Sequence, residues 1–162
     1  MDLSAWVALV TGGTGFLGTS MCRAFLDANA TVVAVYGFDR ELPYFRENLC
    51  IAAKPVHLQK ADAAKPGAID RVAASVLRRF RRIDALVHPV CGCMAGSVED
   101  ATAKDSDAAF NLNLKAAFLA ANEVIPAMKR RKRGKIVFVS TRLEPRCAGR
   151  PRPSCTRRAS PG

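Results

Sequence analysis

The sequence predicts a doubly wound α/β domain: a parallel sheet of about five strands with helices on both faces. Three observations lead there. Short apolar runs alternate with helical patterns five times along the chain. The runs are apolar at nearly every position instead of every second one, as in strands covered on both faces. A glycine-rich turn separates the first run from the first helix.

Each element has its own signal. Ala5 to Val10 is an apolar run ending at Thr11-Gly12, and it reads as the first strand. Phe16 to Ala28 follows as a helix, with Phe16, Leu17, Met21, Ala24, Phe25 and Ala28 as its apolar positions. The β-branched run Thr31 to Tyr36 is the second strand. Asp39 is placed to cap a helix running toward Cys50. Val56 to Leu58 is a short third strand. Pro66 opens a helix that reaches Phe80, with Ile69, Val72, Ala73, Val76, Leu77 and Phe80 on one face. Ile83 to His88 is the fourth strand. A long helix spans Asp105 to Arg130, with a stripe of Phe110, Leu114, Ala117, Phe118, Ala121, Ile125 and Met128. Pro126 should kink or loosen its last turn, and Gly134 ends it. Ile136 to Val139 is the fifth strand. No internal repeat is apparent.

The domain is expected to fill residues 1–141. From Arg142 the character changes: residues 142–162 carry six Arg, four Pro and two Cys with no periodicity, an Arg/Pro-rich tail expected to be disordered. Six Arg against Glu144 give that tail +5 of the chain's net +11. Much of the rest lies in two runs, Arg78-Arg79 with Arg81-Arg82, and Lys129 to Arg133 with Lys135. Such runs usually mark solvated helix ends, where cations suit the helix dipole. Binding to nucleic acid is the less favoured reading of them.

Composition narrows the class further. The 162 residues are 49% hydrophobic and 24% charged, which suits a globular domain with a real core. No apolar run is long enough to cross a bilayer, and residues 1–10 lack a signal pattern, so a soluble, cytoplasmic chain is expected. The six cysteines are irregularly spaced with no C-x-x-C. Cys91 and Cys93 beside His88 make a weak metal motif, so no metal is expected and free thiols are the simpler reading.

Chemistry concentrates in the turn Thr11-Gly12-Gly13-Thr14-Gly15-Phe16-Leu17-Gly18. Glycine allows turns other residues cannot make and lets the backbone approach a pyrophosphate closely. The helix starting near Gly15 turns free N–H groups and a positive dipole end toward that phosphate. A glycine triplet alone is weak evidence; one set between strand and helix is strong.

This octapeptide resembles the T-G-x-x-G-x-x-G form of the short-chain dehydrogenase/reductase family, whose members are NAD(P)-dependent oxidoreductases with a Rossmann fold. The resemblance runs over residues 5–145. Asp62 matches the family's adenine-holding Asp. Leu86-Val87-His88-Pro89-Val90-Cys91-Gly92 falls where the family has a variant of N-N-A-G, with His88 in place of the first Asn and Cys91 in place of the usual Gly. Asn113-Leu114-Lys115-Ala116-Ala117-Phe118 matches the segment of the active-site Asn. Gly134 to Thr141 matches the fifth strand, with Thr141 at the catalytic Ser position and Ser140 before it. The implied site residues are therefore Asn113, Thr141 and Ser140 for chemistry. Thr11 through Gly18, Tyr36, Arg40, Asp62, His88 and Gly92 would serve the cofactor.

An acid at the end of the second strand favours NAD. Here stand Tyr36 and Gly37, with Arg40 nearby, which tilts the expectation slightly toward NADP; the alternative is that Arg40 is simply solvated at a helix start.

Family members exchange a proton through a Tyr-x-x-x-Lys pair, the Lys lowering a phenol pKa near 10. The tyrosines here are Tyr36 and Tyr44, followed four residues later by Arg40 and Asn48, and the last lysine is Lys135. The family spacing puts the Tyr near Ser154, within Ser154-Cys155-Thr156-Arg157-Arg158. The resemblance thus implies an NAD(P)-binding domain without dehydrogenase activity, the C-terminal part of the family fold being absent by truncation or a shifted reading frame after Leu143-Glu144-Pro145. Two alternatives stand beside it: an active carbonyl reductase or alcohol dehydrogenase with atypical chemistry, and a non-enzymatic binding or regulatory module. Loss of the later strands would leave strand 136–139 as an exposed edge. That edge, or the helix 105–130 that packs against a partner subunit in the family, is the expected route to a homo-oligomer. The substrate is not legible.

Overall fold

A computed structural model describes residues 2–49, 56–63, 65, 67–92 and 99–140 of the chain. Five strands form one parallel sheet: β1 (Val7–Val10), β2 (Thr31–Tyr36), β3 (Val56–Lys60), β4 (Ala85–His88) and β5 (Lys135–Phe138), in the order β3-β2-β1-β4-β5. Register is set by pairs such as Leu9 with Val33 and with Leu86, and Leu86 with Ile136. The helices are α1 (Phe16–Asp27), α2 (Leu42–Leu49), α3 (Ala68–Phe80), α4 (Ala103–Phe110) and α5 (Ala116–Arg130).

Strand alternation sends side chains to two cores. Val7, Leu9, Val33, Val35, Leu86 and Ile136 meet α3 and α5 on one face. Val10, Val32, Ala34 and Val87 meet Cys22 and Leu26 of α1 and Phe45 and Leu49 of α2 on the other. This is the doubly wound α/β architecture. β5 closes the sheet on one side, with Val137 and Phe138 half-exposed.

Several expectations need correction. Asp39 is no helix cap: it lies inside a short 3-10 turn, Asp39–Glu41, whose N-cap is Phe38, and its carboxylate pairs with Lys60. The long helix is not uniform. α4 and α5 are joined by a π-helical turn, Asn111–Lys115, and Pro126 is accommodated within α5, which runs on to Arg130. The apolar stripes are also displaced. In α1 the buried positions are Gly18, Thr19, Cys22 and Leu26, whereas Phe16 and Leu17 are exposed. In α5 they are Ala116, Ala120, Val124, Ala127 and Met128. Phe110, Leu114 and Phe118 (64% exposed) lie on the outside. Small residues face the sheet because a helix packed closely on strands leaves no room for phenylalanine.

At the amino edge of the sheet both basic runs meet. Asp84, just before β4, is fully buried; its carboxylate accepts from Val7 N at 3.0 Å and from Arg82 Nε and Nη2 at 2.5 and 2.6 Å. Its carbonyl accepts from Lys135 N at 2.9 Å, at the start of β5. Burial pushes the Asp84 carboxyl up, but Arg82, Val7 N–H and Arg131 together hold it below the usual range. Among the described residues no helix is long and apolar enough to cross a membrane.

Candidate dinucleotide site

The chain passes from β1 to β2 and β3 on one side and places β4 and β5 on the other, so the crevice outside the carboxyl ends of β1 and β4 is the switch point where this architecture takes ligands. The glycine turn opens there. Thr11 N donates to Val87 O at 3.0 Å, and Gly13 N to Val35 O at 2.8 Å, so the turn is tied to both neighbouring strands. Gly12 has φ +60°, in the left-handed region. A Cβ on Gly18 would lie 2.1 Å from Gly12 O, and one on Gly13 would lie 2.8 Å from Ala34 Cβ. Gly15 is the N-cap of α1, with no capping side chain and no acid in the first turn, so the first N–H groups and the dipole face the turn unopposed. Thr19 Oγ1 braces the turn from below, donating to Gly15 O at 2.8 Å and Thr14 O at 3.2 Å. Cys22 packs beneath Gly13, and burial pushes its thiol up to about 12, which keeps it protonated. Phe16, 79% exposed, sets its ring 6.3 Å from Tyr44 at the mouth. These residues fit a pyrophosphate: a close-approach cradle at a helix start that carries no acid in its own first turn.

The segment after β2 forms one flank. Tyr36 ends the strand, its carbonyl accepting from Ala61 N at 2.9 Å, which brings Asp62 beside it after β3. The Arg40 guanidinium lies 4.6 Å over the Phe38 ring. Glu41, which the sequence did not single out, accepts a hydrogen bond from the Thr14 hydroxyl.

The other flank follows β4. His88 is buried (2% exposed); its Nδ1 is 2.7 Å from Thr11 Oγ1, and its Nε2 has no partner among the described residues. Burial holds the imidazole down to about 4, so it is neutral near pH 7. Asn113, at the centre of the π-helical turn, accepts from Gly92 N and donates to Gly92 O, each at 2.9 Å, and also donates to Ala109 O at 2.9 Å. A π-turn of this kind often marks a functional position. Here it aims one amide at the loop after β4. A Cβ on Gly92 would strike Leu112, so that loop lies tight on the helix.

The structure thus gathers the turn, Tyr36, Asp62, His88 and Gly92 along the carboxyl edge, with Asn113 pinned to Gly92. Ser140 is exposed just beyond β5, and no hydrogen bond joins it to Asn113 among the described residues. Thr141, Cys50, Pro66, Cys93 and the tail 142–162 lie outside the described residues. Within the described residues no three of His, Cys, Asp and Glu gather as metal ligands. Glu41 escaped the sequence reading because Thr14 lies 27 residues away, and Asp84 because its bond to Val7 N spans 77.

The family profile described as short chain dehydrogenase matches residues 6–144. The chain is 30% identical over 122 residues to an uncharacterized oxidoreductase of Mycobacterium tuberculosis, covering 75% of this chain and 46% of that protein. It is 27% identical over 139 residues to the oxidoreductase UcpA of Escherichia coli, covering 86% and 52%. A metagenomic short-chain oxidoreductase solved in complex with NADP superposes with a TM-score of 0.79 at 28% identity, over 88% of this chain and 65% of that one. A Burkholderia xenovorans protein described as a short-chain dehydrogenase/reductase gives 0.77 at 27% identity, over 83% and 55%. The chain spans about half the length of the curated relatives it matches.

Proposed function

The chain belongs to the short-chain dehydrogenase family, and from that premise we propose that these 162 residues form the nicotinamide-dinucleotide-binding half of an oxidoreductase fold and do not complete a turnover by themselves. The observation that carries the reading is the glycine turn at the switch point, with the uncapped start of α1 facing it. A bound dinucleotide supplies hydride chemistry; the chain's own residues hold and orient it. Backbone N–H groups of the α1 start take the pyrophosphate, while Tyr36 and Asp62 flank the adenosine. On the nicotinamide flank, His88 and Gly92 form the wall and Asn113 fixes it. By the resemblance, the hydroxyls of Ser140 and Thr141 would orient a substrate oxygen. What these residues lack is a phenol and ammonium to exchange the proton, since no Tyr follows Tyr44 and no Lys follows Lys135. Which dinucleotide is taken turns on the segment after β2; the expectation of NADP rests on Tyr36 and Gly37 standing in place of an acid and on the nearby Arg40.

Titration of the purified chain with NADH and NADPH, followed by nicotinamide fluorescence, should show saturable binding, and a panel of carbonyl substrates should show no cofactor oxidation. Turnover by this polypeptide alone would overturn the proposal, as would the absence of binding to either dinucleotide.

The exposed stripe Phe110, Leu114 and Phe118 fits a second copy of the chain, as the resemblance implies for this helix.

A further inference from the structure

Three charged side chains follow β2 in succession, and they go to three places. The Asp39 carboxylate pairs with Lys60 Nζ. The Arg40 guanidinium stacks on Phe38. Only Glu41 reaches the glycine turn, where its carboxylate accepts from the Thr14 hydroxyl. Thr14 is fully buried, and the adjacent Gly13 donates to Val35 O. The acid therefore sits where the turn meets the carboxyl end of β2.

In this architecture the pyrophosphate lies at the start of the first helix and the adenosine ribose at the end of the second strand, so the ribose falls beside that acid. A carboxylate there accepts hydrogen bonds from ribose hydroxyls. It has about four lone-pair sites, so the bond from Thr14 holds it in place without saturating it. A 2′-phosphate, carrying about −1.5 to −2 charges as a phosphate monoester, would be repelled instead. Of the nearby cations, Lys60 is paired with Asp39 and Arg40 lies over the Phe38 ring.

We infer that Glu41 sets the dinucleotide choice, and sets it toward NAD, in place of the acid that β2 itself lacks. The inference rests on the reading that the chain binds a nicotinamide dinucleotide, and it reverses the NADP expectation drawn from Tyr36, Gly37 and Arg40.

The test is a pair of fluorescence titrations, NADH and NADPH, on the intact chain and on Glu41→Gln and Glu41→Asp, with a thermal melt confirming that each variant folds. The unaltered chain should bind NADH about tenfold tighter than NADPH. Glu41→Gln should tighten NADPH and bring the two affinities within about threefold, whereas Glu41→Asp should keep NADH ahead. Competition by 5′-ADP and 2′,5′-ADP against bound NADH reads the same preference on the unaltered chain, with 5′-ADP expected to displace better. Equal or tighter binding of NADPH by the unaltered chain would overturn the inference while leaving dinucleotide binding intact. An unmoved ratio in a folded Glu41→Gln chain would do the same. Binding of neither dinucleotide would overturn both.

Discussion

Thr11 Oγ1 and His88 Nδ1, 77 residues apart in the chain, lie 2.7 Å from each other and join the carboxyl ends of β1 and β4 across the switch point. With Nδ1 engaged and Nε2 without a partner among the described residues, a second proton on the ring would place a buried charge with no acceptor there. The imidazole is held down to about 4 from 6.5. Between those values the unfolded chain binds more protons than the folded one, so stability falls as pH drops through that window and levels off below it. The full effect is on the order of 3 kcal/mol. Urea unfolding from pH 7 to pH 4 should show this slope, and His88→Asn should flatten it. An equally steep slope in the variant would assign the titration to another group.

Gly18→Ala should disrupt the turn, because its Cβ would lie 2.1 Å from Gly12 O and 2.8 Å from Gly13 Cα, both backbone atoms. A loss of about 1–3 kcal/mol is expected, together with a fall in dinucleotide affinity. Gly37→Ala is the internal comparison: a Cβ there meets nothing within 4 Å, so stability should stay within about 0.5 kcal/mol. Equal losses at both positions would contradict the packing argument.

Asp84→Ala should remove the acceptor for both Arg82 bonds and for Val7 N–H. Leaving the buried Val7 N–H without its acceptor and the partly exposed Arg82 unpaired should cost about 1–3 kcal/mol, seen as a lower urea midpoint at unchanged m-value. A loss below about 1 kcal/mol would place the pair with exposed ion pairs. In the unaltered chain the Asp84 carboxyl is held below its usual range, so its stabilisation is present above that range and is lost only under more acid conditions than the His88 step.

Phe118→Glu should yield a monomer in sedimentation at concentrations where the unaltered chain self-associates, with dinucleotide binding retained. Phe118 lies on the exposed stripe with Phe110 and Leu114, away from the Ala116, Ala120 and Val124 face that packs on the sheet. Unchanged association in the variant would remove that stripe from the interface.

Most of the fold was legible because it depends on local signals. The run Thr31 to Tyr36 gave β2 to the residue, since a β-branched run bounded by turn residues has few other uses. The glycine turn was legible for the same reason: strand, turn and helix lie consecutively. Helix faces misled because a stripe drawn through the largest apolar residues picks Phe110 and Phe118, while close packing selected Ala116 and Ala120. The contacts that shape the site were hidden by distance along the chain. Glu41 meets Thr14 over 27 residues, and Asp84 meets Val7 over 77, and neither pairing leaves a trace in spacing or periodicity.

Because the two arginine- and lysine-rich runs converge at the amino edge around Asp84, while the glycine turn opens at the opposite edge, the described residues set these two basic runs away from the turn. On a cation-exchange bead or an anionic lipid film at low salt, the chain would settle with that edge down. Contacts made through that edge alone would leave the glycine turn facing the bulk solvent, open to loading from above.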